Sequence, residues 1–357
     1  MTIVVDCRML NASGIGVYLR GILPYLLNSN NNFILIGDYN KLNFYDNYSN
    51  IIIYNYNTKP FSIKEILFFT DSKIKKIINS ANIFFTPFYN IPGGIKIPVY
   101  SIIHDIIFPD IPELTSKLGI FLRMLFFKNA YKKSTKIFTV SEFSKSRIIY
   151  HLGSKKPIII ASPGIQESII NFNNITKNIT KQKKIVFIGN IKKHKGLDYL
   201  IDAFISFINE GYDYKLILIG SKDSFIRGKF NISEKIKSIN IDSIEFTGFI
   251  SDKEMLKHLS EAELLVQPSL YEGFGIPPLE AMFLGTKALI SDIPVFKEIY
   301  QDFPVTYFKS KDSNDLKDKL VQILIENKSN FFTLSKELQN KYSFKNTADI
   351  ILKNITE

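Results

Sequence analysis

Short apolar segments alternate with helical patterns along the chain, and this alternation constrains the fold more than any other feature of the sequence. In the second half it is regular, and six segments predict strands: 184–189, 215–220, 244–249, 263–268, 287–291 and 305–308. Between them lie helical patterns at 196–209, 252–260 and 278–284. Strands that alternate with helices at this spacing are typical of βαβ units in a parallel sheet.

The first half repeats this pattern less regularly. Seven segments predict strands: 3–6, 33–36, 51–54, 83–85, 99–103, 137–140 and 158–161. Helical patterns follow at 15–27, 63–79, 117–132 and 142–152. Pro24 is expected to kink or shorten the first helix, because proline cannot donate the hydrogen bond that a helix interior requires.

The chain of 357 residues exceeds what one hydrophobic core usually holds. The polar, asparagine-rich stretch up to residue 183 shows no periodicity and predicts an interdomain linker. We therefore predict two Rossmann-like doubly wound domains facing a central cleft, where ligands bind beyond the carboxyl ends of the strands. The predicted boundaries are 1–165, a linker at 166–183, 184–340, and a helix at 341–357 that packs back on the N-terminal domain.

Composition narrows the class of protein. A single cysteine, Cys7, excludes an intramolecular disulfide and a cysteine-rich metal site. The N-terminal apolar run is broken at Asp6, too early for a signal peptide, and no run approaches about 18 apolar residues, so a cytoplasmic location is expected. The net charge of +11 suits nucleic acid, anionic lipid or a phosphorylated substrate, or reflects a lysine-rich composition with no specific partner.

The densest group of polar candidates follows the predicted strand 263–268. Glu272 lies in a glycine-rich loop, and Glu280 lies on the predicted helix after it. Gly273 and Gly275 allow the backbone to approach a ligand, and a helix N-terminus beside them favours a diphosphate. Each carboxylate can accept hydrogen bonds from two vicinal hydroxyls. Either glutamate alone would fit a solvated helix end, but the whole block favours a sugar or ribose site.

This block resembles the Glu-x7-Glu signature of retaining GT-B glycosyltransferases, especially the bacterial group called glycosyltransferase family 4, or group 1. The resemblance covers essentially the whole chain and includes Asp6-x-Arg8, Gly14-Ile15-Gly16, His104-Asp105, Val140-Ser141-Glu142-Phe143-Ser144 and His194-Lys195-Gly196. It implies the GT-B fold, a nucleotide-sugar donor, retention at the anomeric carbon, and no cofactor or metal.

The resemblance also implies roles for individual residues. Glu272 would lie nearest the reacting sugar, and His104 would contact a distal hydroxyl of that sugar, which makes these two the catalytic candidates. The donor-binding candidates are Gly14, Gly16, Lys195, Gly273, Phe274, Gly275, Ile276 and Glu280. The segment that ends at Phe249 would border the nucleotide base, although a core position for Phe249 is almost as well supported.

Two glycine turns leave alternatives open. The turn at Gly14 and Gly16 also fits a dinucleotide-binding loop, but Leu19 stands where that motif needs a third small residue, although Asp38 follows the second strand. A tight turn without a ligand is the third interpretation. At the second turn, Lys195 suits a phosphate. The family carries arginine where this chain has Asn190 or His194, so one phosphate contact is missing or comes from another lysine, Lys192 or Lys193.

The pattern at 117–133 mixes aromatic residues with Lys117, Arg123, Lys128, Lys132 and Lys133. A basic amphipathic helix can lie on anionic lipid. An ordinary helix whose apolar side faces the core is the commoner arrangement and is favoured here.

The sequence therefore predicts an enzyme that moves a hexose from a nucleotide-sugar to a saccharide or polyprenyl-linked acceptor. The resemblance suggests the synthesis of a bacterial surface polysaccharide such as O-antigen or capsule. We expect no nucleic-acid partner and a peripheral contact with the inner face of the membrane. The alternatives are another GT-B enzyme, such as a nucleotide-sugar epimerase or phosphorylase, and a nucleotide-binding oxidoreductase or non-catalytic sugar-binding relative.

Overall fold

A computed structural model describes residues 1–58, 60, 72–175, 179–190, 192–220, 243–326 and 334–357. The chain forms two compact units. The N-terminal unit comprises Met1–Gly164 together with Lys341–Glu357, and the C-terminal unit comprises Ile165–Asn340.

The N-terminal unit is built on a parallel seven-stranded sheet with the order β3-β2-β1-β4-β5-β6-β7. Its strands are β1 Thr2–Asp6, β2 Asn32–Gly37, β3 Ile51–Asn55, β4 Ile83–Thr86, β5 Val99–Ile102, β6 Lys136–Thr139 and β7 Ile158–Ile160. The central strands β4 and β5 are buried along their whole length, which explains their continuous apolar runs.

The C-terminal unit is built on a parallel six-stranded sheet with the order β10-β9-β8-β11-β12-β13. Its strands are β8 Gln182–Ile188, β9 Lys215–Ile219, β10 Ile244–Gly248, β11 Ala262–Gln267, β12 Lys287–Ser291 and β13 Thr306–Phe308. Each predicted strand corresponds to an observed one. The prediction of two doubly wound Rossmann-like sheets is confirmed.

Helices connect the strands. Those of the N-terminal half are α1 Ser13–Leu27, α2 Tyr39–Leu42, α3 Ser72–Asn79, α4 Ile107–Asp110, α5 Lys117–Lys133 and α6 Glu142–Leu152. The later ones are α7 Glu167–Ile175, α8 Leu197–Asn209, α9 Asp252–Glu261, α10 Ile276–Phe283, α11 Pro294–Tyr300, α12 Ser313–Val321, α13 Lys336–Lys341 and α14 Phe344–Thr356. Within the described ranges, no helix has both the length and the apolar character needed to cross a membrane.

Two predicted helices differ from the structure in extent. The helix predicted at 63–79 is observed as α3 from Ser72, and its earlier part lies outside the described residues. The shortening expected at Pro24 is wrong, because α1 continues through Pro24 to Leu27. The Pro24 carbonyl accepts a hydrogen bond of 3.1 Å from the Asn28 amide, so the last turn remains closed.

The predicted linker at 166–183 is wrong over most of its length. Helix α7 occupies its first half, and β8 begins at Gln182; residues 176–178 lie outside the described residues. Ile169 anchors α7 because its side chain is buried. One buried isoleucine among asparagines is too weak a pattern to reveal a helix in the sequence.

The C-terminal helix α14 belongs to the N-terminal unit, where it packs on α1. The Phe344 ring lies against Gly21, at which a Cβ would be only 2.4 Å from the ring. The Thr347 hydroxyl donates a hydrogen bond of 2.6 Å to the Ser162 carbonyl. The chain therefore returns to its first unit after completing the second.

Helix α5 buries only part of its apolar surface, so the favoured core interpretation is confirmed for its second half and is wrong for its first half. Only Phe127 and Ala130 are buried in it. Four large apolar residues of its first half are exposed: Leu118, Phe121, Leu122 and Leu125. Helical periodicity identifies the residues that share a face, but it cannot show whether another element covers that face.

Candidate active site

The candidate site of the C-terminal unit lies at the carboxyl ends of β8 and β11. These two strands are neighbours, and the chain winds away from them in opposite directions, which makes this the switch point of the sheet. Parallel sheets of this kind bind ligands there. Lys195 follows β8 and Glu272 follows β11, so the switch point brings together two candidates that are 77 positions apart.

The turn that carries Lys195 is pressed against the loop after β11. Gly196 has a φ of 65°, and a Cβ at this position would lie 2.0 Å from the Pro268 carbonyl oxygen. The Leu270 amide donates a hydrogen bond of 2.7 Å to the His194 carbonyl. Glycine is therefore required here both for the left-handed conformation and for the close approach of the two loops.

Three side chains donate hydrogen bonds to one oxygen of Glu272. Lys195 Nζ lies 2.6 Å from Oε1, the Ser269 hydroxyl lies 2.7 Å from it, and the Gln267 amide lies 3.4 Å from it. Within the described residues, Oε2 has no hydrogen-bond donor, and the side chain is 11% exposed. Oε2 is therefore the oxygen available to a ligand hydroxyl.

The same contacts keep Glu272 ionised. Burial raises the pKa of Glu272, but the charge of Lys195 and the hydrogen bonds from Lys195 and Ser269 together lower it below the ordinary value. A carboxylate held ionised in this way accepts hydrogen bonds only. Gln267 and Ser269 were not singled out from the sequence, because short polar residues at a strand end are common.

His194 does not supply the positive charge that the family's arginine would bring. Burial, and then the charge of Lys195, lower the pKa of His194 to about 4, so the imidazole is neutral at physiological pH. Its Nδ1 is buried, and none of the described residues forms a hydrogen bond with it. Lys192 and Lys193 are exposed on the same turn and remain the candidates for a second phosphate contact.

The loop from Gly273 to Ile276 leads into α10. Gly275 has a φ of 87°, its carbonyl accepts a hydrogen bond from the Tyr300 hydroxyl, and the Phe296 ring packs against it. The Phe274 side chain is buried, so this candidate can meet a ligand only through its backbone. Two prolines follow Ile276, which leaves the Ile276 amide as the one backbone donor among the first three helical residues.

Glu280 lies in the second turn of α10 and is buried. Burial raises the pKa of Glu280 to about 7, opposed by a hydrogen bond with the Gln166 side chain. Near neutral pH the neutral and the ionised form of the Glu280 carboxyl are therefore both populated. The two glutamates of the motif thus differ in charge state, since one has a strong cation beside it and the other does not.

This difference predicts a pH dependence of stability. Folding raises the pKa of Glu280, so the contribution of Glu280 to the free energy of unfolding is fully present below about pH 4.5 and is lost as the pH rises towards 7. The loss amounts to about 3 kcal/mol. Glu280→Gln removes this loss. We expect the melting temperature of the variant, relative to wild type, to rise between about pH 5 and pH 8.

Glu254→Gln is the matched control, because hydrogen bonds with Ser251 lower the pKa of Glu254. That contribution is lost only as the pH falls through the lowered pKa. The melting difference of the control should therefore stay flat over the same range. A flat difference for Glu280→Gln as well would show that Glu280 is ionised throughout.

In the N-terminal unit, the two glycines at the start of α1 have different reasons to be glycine. A Cβ at Gly16 would lie 2.5 Å from the Leu10 carbonyl oxygen, so the chain's own backbone requires this glycine. Apart from the neighbouring residues of its own helix, no atom of the described residues would lie within 4 Å of a Cβ at Gly14. The N-cap residue Ala12 provides no side-chain hydrogen bond. Gly14 therefore lies at an uncapped helix start with space beside it.

His104 follows β5 and lies against α1. Its ring meets the Tyr18 ring edge-on, with the centroids 5.1 Å apart, and its Nε2 is 3.0 Å from the Pro87 carbonyl oxygen. Burial lowers the pKa of His104 to about 4, so the ring is neutral. A carbonyl needs a donor, which assigns the proton to Nε2 and leaves Nδ1 as an acceptor for a hydroxyl.

Two motifs that contributed to the family resemblance hold this region together. The Ser141 hydroxyl caps α6 by accepting from the Ser144 amide at 3.0 Å, and the Ser144 hydroxyl donates to the His104 carbonyl at 2.9 Å. The Arg8 side chain donates two hydrogen bonds to Asp6, of 2.9 and 2.6 Å, in a nearly fully buried pair. Ser144 therefore holds the backbone of the candidate His104 in place.

Two further expectations concern Phe249 and a bound metal ion. Phe249 is 83% exposed just beyond β10, so the core position considered for it is wrong. In the part of the chain that the structure describes, no three His, Cys, Asp or Glu side chains are grouped to hold a metal ion. Independence from metals stays a prediction.

Two doubly wound parallel sheets in one chain form the GT-B fold. Residues 168–341 match the family model of glycosyl transferases group 1. Among solved structures, the chain is similar to HepE of Anabaena in complex with UDP and glucose. The TM-score is 0.74 at 16% identity, over 100% of this chain and 99% of HepE, which shows a shared fold.

Curated relatives agree with this class. The chain is 26% identical over 209 residues to the serotype-specific mannosyltransferase WbdA of Escherichia coli, covering 58% of this chain and 24% of WbdA. It is 29% identical over 187 residues to the O-antigen chain mannosyltransferase RfbU of Salmonella typhimurium, covering 50% of this chain and 49% of RfbU. The matches thus span a quarter to a half of these relatives. The family model and these relatives are what the chain resembles over the matched residues, and the structural comparison shows the GT-B fold.

Proposed function

We propose that this chain transfers a hexose from a nucleotide-sugar to a saccharide or lipid-linked saccharide, with retention at the anomeric carbon, in the synthesis of a bacterial surface polysaccharide. The observation that carries the proposal is the Lys195–Glu272 pair at the switch point, with Glu280 buried on the helix that follows. The names of WbdA and RfbU support the polysaccharide, and the UDP and glucose of HepE support the donor class.

In this proposal the C-terminal unit holds the donor. Lys195 supplies a positive charge to the diphosphate, with the Ile276 amide beside α10 as a further donor. Glu272 accepts a sugar hydroxyl on Oε2, because its Oε1 already receives three hydrogen bonds. Glu280 binds the ribose hydroxyls, which either charge state of a carboxyl can do.

The proposed reaction needs charge stabilisation more than a nucleophile. The bond from the anomeric carbon to the diphosphate breaks, and the acceptor oxygen bonds to the same face of the sugar. The acceptor proton passes to the leaving phosphate. Lys195 and the loop amides stabilise the charge that grows on the diphosphate, which is the contribution that lowers such barriers most. In the N-terminal unit, the Nδ1 of His104 accepts a saccharide hydroxyl.

We predict that the purified protein binds one class of nucleotide-sugar and turns it over in excess EDTA. No cluster of metal ligands lies among the described residues, and the lysine replaces a metal as the cation at the diphosphate. The test screens UDP-, GDP- and dTDP-sugars by thermal shift, because a ligand that binds the folded state raises the melting temperature. At a ligand concentration a hundredfold above Kd, binding adds about 2.7 kcal/mol to the free energy of unfolding.

The release of nucleoside diphosphate then measures turnover of the stabilising donor. The assay contains an extract that supplies the acceptor and is run with and without EDTA. Release that stops in EDTA and returns with magnesium or manganese would contradict metal independence. Donor conversion to an isomeric nucleotide-sugar without an acceptor would identify an epimerase instead. No shift with any of the three donor classes would overturn the donor assignment.

A further inference from the structure

The first half of α5 presents an apolar face to solvent. Leu118, Phe121, Leu122 and Leu125 are 67%, 59%, 48% and 48% exposed. Their i, i+3, i+4, i+7 spacing places all four on one side of the helix. Such a face normally covers a core, yet here it is turned away from the rest of the unit. We call these four residues the outer stripe.

The opposite side of α5 holds the helix in place. Phe127 and Ala130 are buried, and Met124 packs against the same core. Arg123 turns inward, where its guanidinium carbon lies 4.2 Å from the centroid of the Phe108 ring and one of its nitrogens donates to the Gly119 carbonyl. The outer stripe is therefore held outward by packing on the other side and does not result from a frayed helix.

Positive charge continues the outer stripe. Lys128 lies seven positions after Phe121, and Lys132 lies seven positions after Leu125, so both lysines extend the same side of the helix. Both are exposed, as is Lys117 at the helix start. The helix contains no acidic residue, and the whole chain carries a net charge of +11. Among the described residues, Lys128 and Lys132 form no ion pair. An apolar stripe beside such lysines fits a membrane surface, which is apolar inside and anionic outside.

We propose that the outer stripe docks the protein on an anionic lipid membrane, with α5 lying in the plane of the surface. Helices of this kind bury their apolar face about 5–10 Å into the boundary between headgroups and acyl chains. Each lysine near an anionic surface adds about fivefold to the affinity. A second copy of this chain fits less well, because it would bring the same lysines without an acidic residue to balance them.

Vesicle flotation of the full chain tests this proposal. The vesicles are made of phosphatidylcholine alone or of phosphatidylcholine and phosphatidylglycerol in equal parts. We expect the protein to float with the mixed vesicles at 0.1 M salt. Recruitment should fall at 1 M salt, where the Debye length shrinks from about 10 Å to 3 Å. Phosphatidylcholine alone should recruit much less protein at either salt concentration.

Matched double variants assign the binding to α5. We expect Phe121→Ser with Leu125→Ser to lower the partition coefficient about tenfold or more, because two large apolar side chains no longer enter the lipid. Lys128→Gln with Lys132→Gln should lower it by about fivefold for each lysine. Phe44→Ser with Ile175→Ser removes one aromatic and one aliphatic side chain that are even more exposed, at 79% and 82%, outside α5, and should leave the partition coefficient unchanged.

The outcomes separate the proposal from its alternatives. Because all four residues changed in the outer stripe and its lysines are exposed, each variant should keep the wild-type melting temperature and the wild-type shift with nucleoside diphosphate. No recruitment to mixed vesicles at 0.1 M salt would overturn the proposal, as would equal losses in the control. A wild-type dimer that becomes monomeric in Phe121→Ser with Leu125→Ser, without vesicle binding, would identify a protein interface instead.

Discussion

Glu272→Gln is expected to lower kcat by about a hundredfold to a thousandfold while leaving the affinity for nucleoside diphosphate nearly unchanged. Removing one preorganised polar contact to a transition state costs about this much. The carboxylate is held ionised by Lys195 and Ser269, and it offers Oε2 to the sugar rather than to the nucleotide. Removal of a contact that strengthens only as the sugar reacts lowers kcat and leaves the binding of the ground state intact.

Glu280→Gln is the matched variant, since it makes the same chemical change eight positions along the motif. It should weaken binding of donor and nucleoside diphosphate and change kcat little, because a ribose contact is equal in the ground and transition states. Steady-state kinetics beside calorimetric titration with the nucleoside diphosphate measures both effects, after each variant is shown to fold. Two variants with wild-type kcat and affinity would make the motif structural and remove the main support for the proposed function.

Lys195→Ala is expected to weaken nucleoside diphosphate binding by about tenfold to a hundredfold. A charged hydrogen bond to phosphate contributes about 1.5–3 kcal/mol, which converts to that range. Lys193→Ala tests the competing contact, because Lys193 is an exposed lysine two positions earlier on the same turn. Calorimetric titration of both variants measures the effect. Wild-type affinity in Lys195→Ala with a loss in Lys193→Ala would transfer the phosphate contact to Lys193.

A double variant separates the charge of Lys195 from its effect on Glu272. Lys195→Ala alone leaves a buried carboxylate without its cation, which costs stability in addition to any loss of binding. Lys195→Ala with Glu272→Gln removes that carboxylate. If the double variant melts above Lys195→Ala but binds nucleoside diphosphate equally weakly, the loss of affinity belongs to the phosphate contact. If affinity recovers with stability, Lys195 acts only by pairing with Glu272.

Much of the site was accessible from the sequence because parallel sheets restrict where ligands bind. Once strands are placed at 184–189 and 263–268, the residues that follow them must lie at one edge of a sheet. Lys195 and Glu272 meet this condition from their positions in the sequence alone. The resemblance to a known family then added roles that spacing alone does not supply, such as the hydroxyl contact of His104.

The residues that hold the candidates in place could not be predicted from the sequence in this way. Gln267 and Ser269 direct hydrogen bonds to Glu272, and Ser144 holds the His104 carbonyl, but each is an ordinary polar residue in the sequence. His194 occupies an arginine position of the family, yet its neutral state follows from burial and from the nearby Lys195. Burial is a property of the folded chain, so no local pattern predicts such a charge state.

Local patterns in the sequence predict the order of strands and helices along the chain, the two doubly wound sheets, and the sheet edge at which the candidates gather. Each of these follows from local periodicity and from the chirality of parallel connections. Three other features depend on packing between distant segments: α7 replaces most of the predicted linker, the two glutamates differ in charge state, and the outer stripe of α5 faces solvent. A pattern shows which side chains share a face, whereas the neighbours that cover or charge that face come from distant parts of the chain.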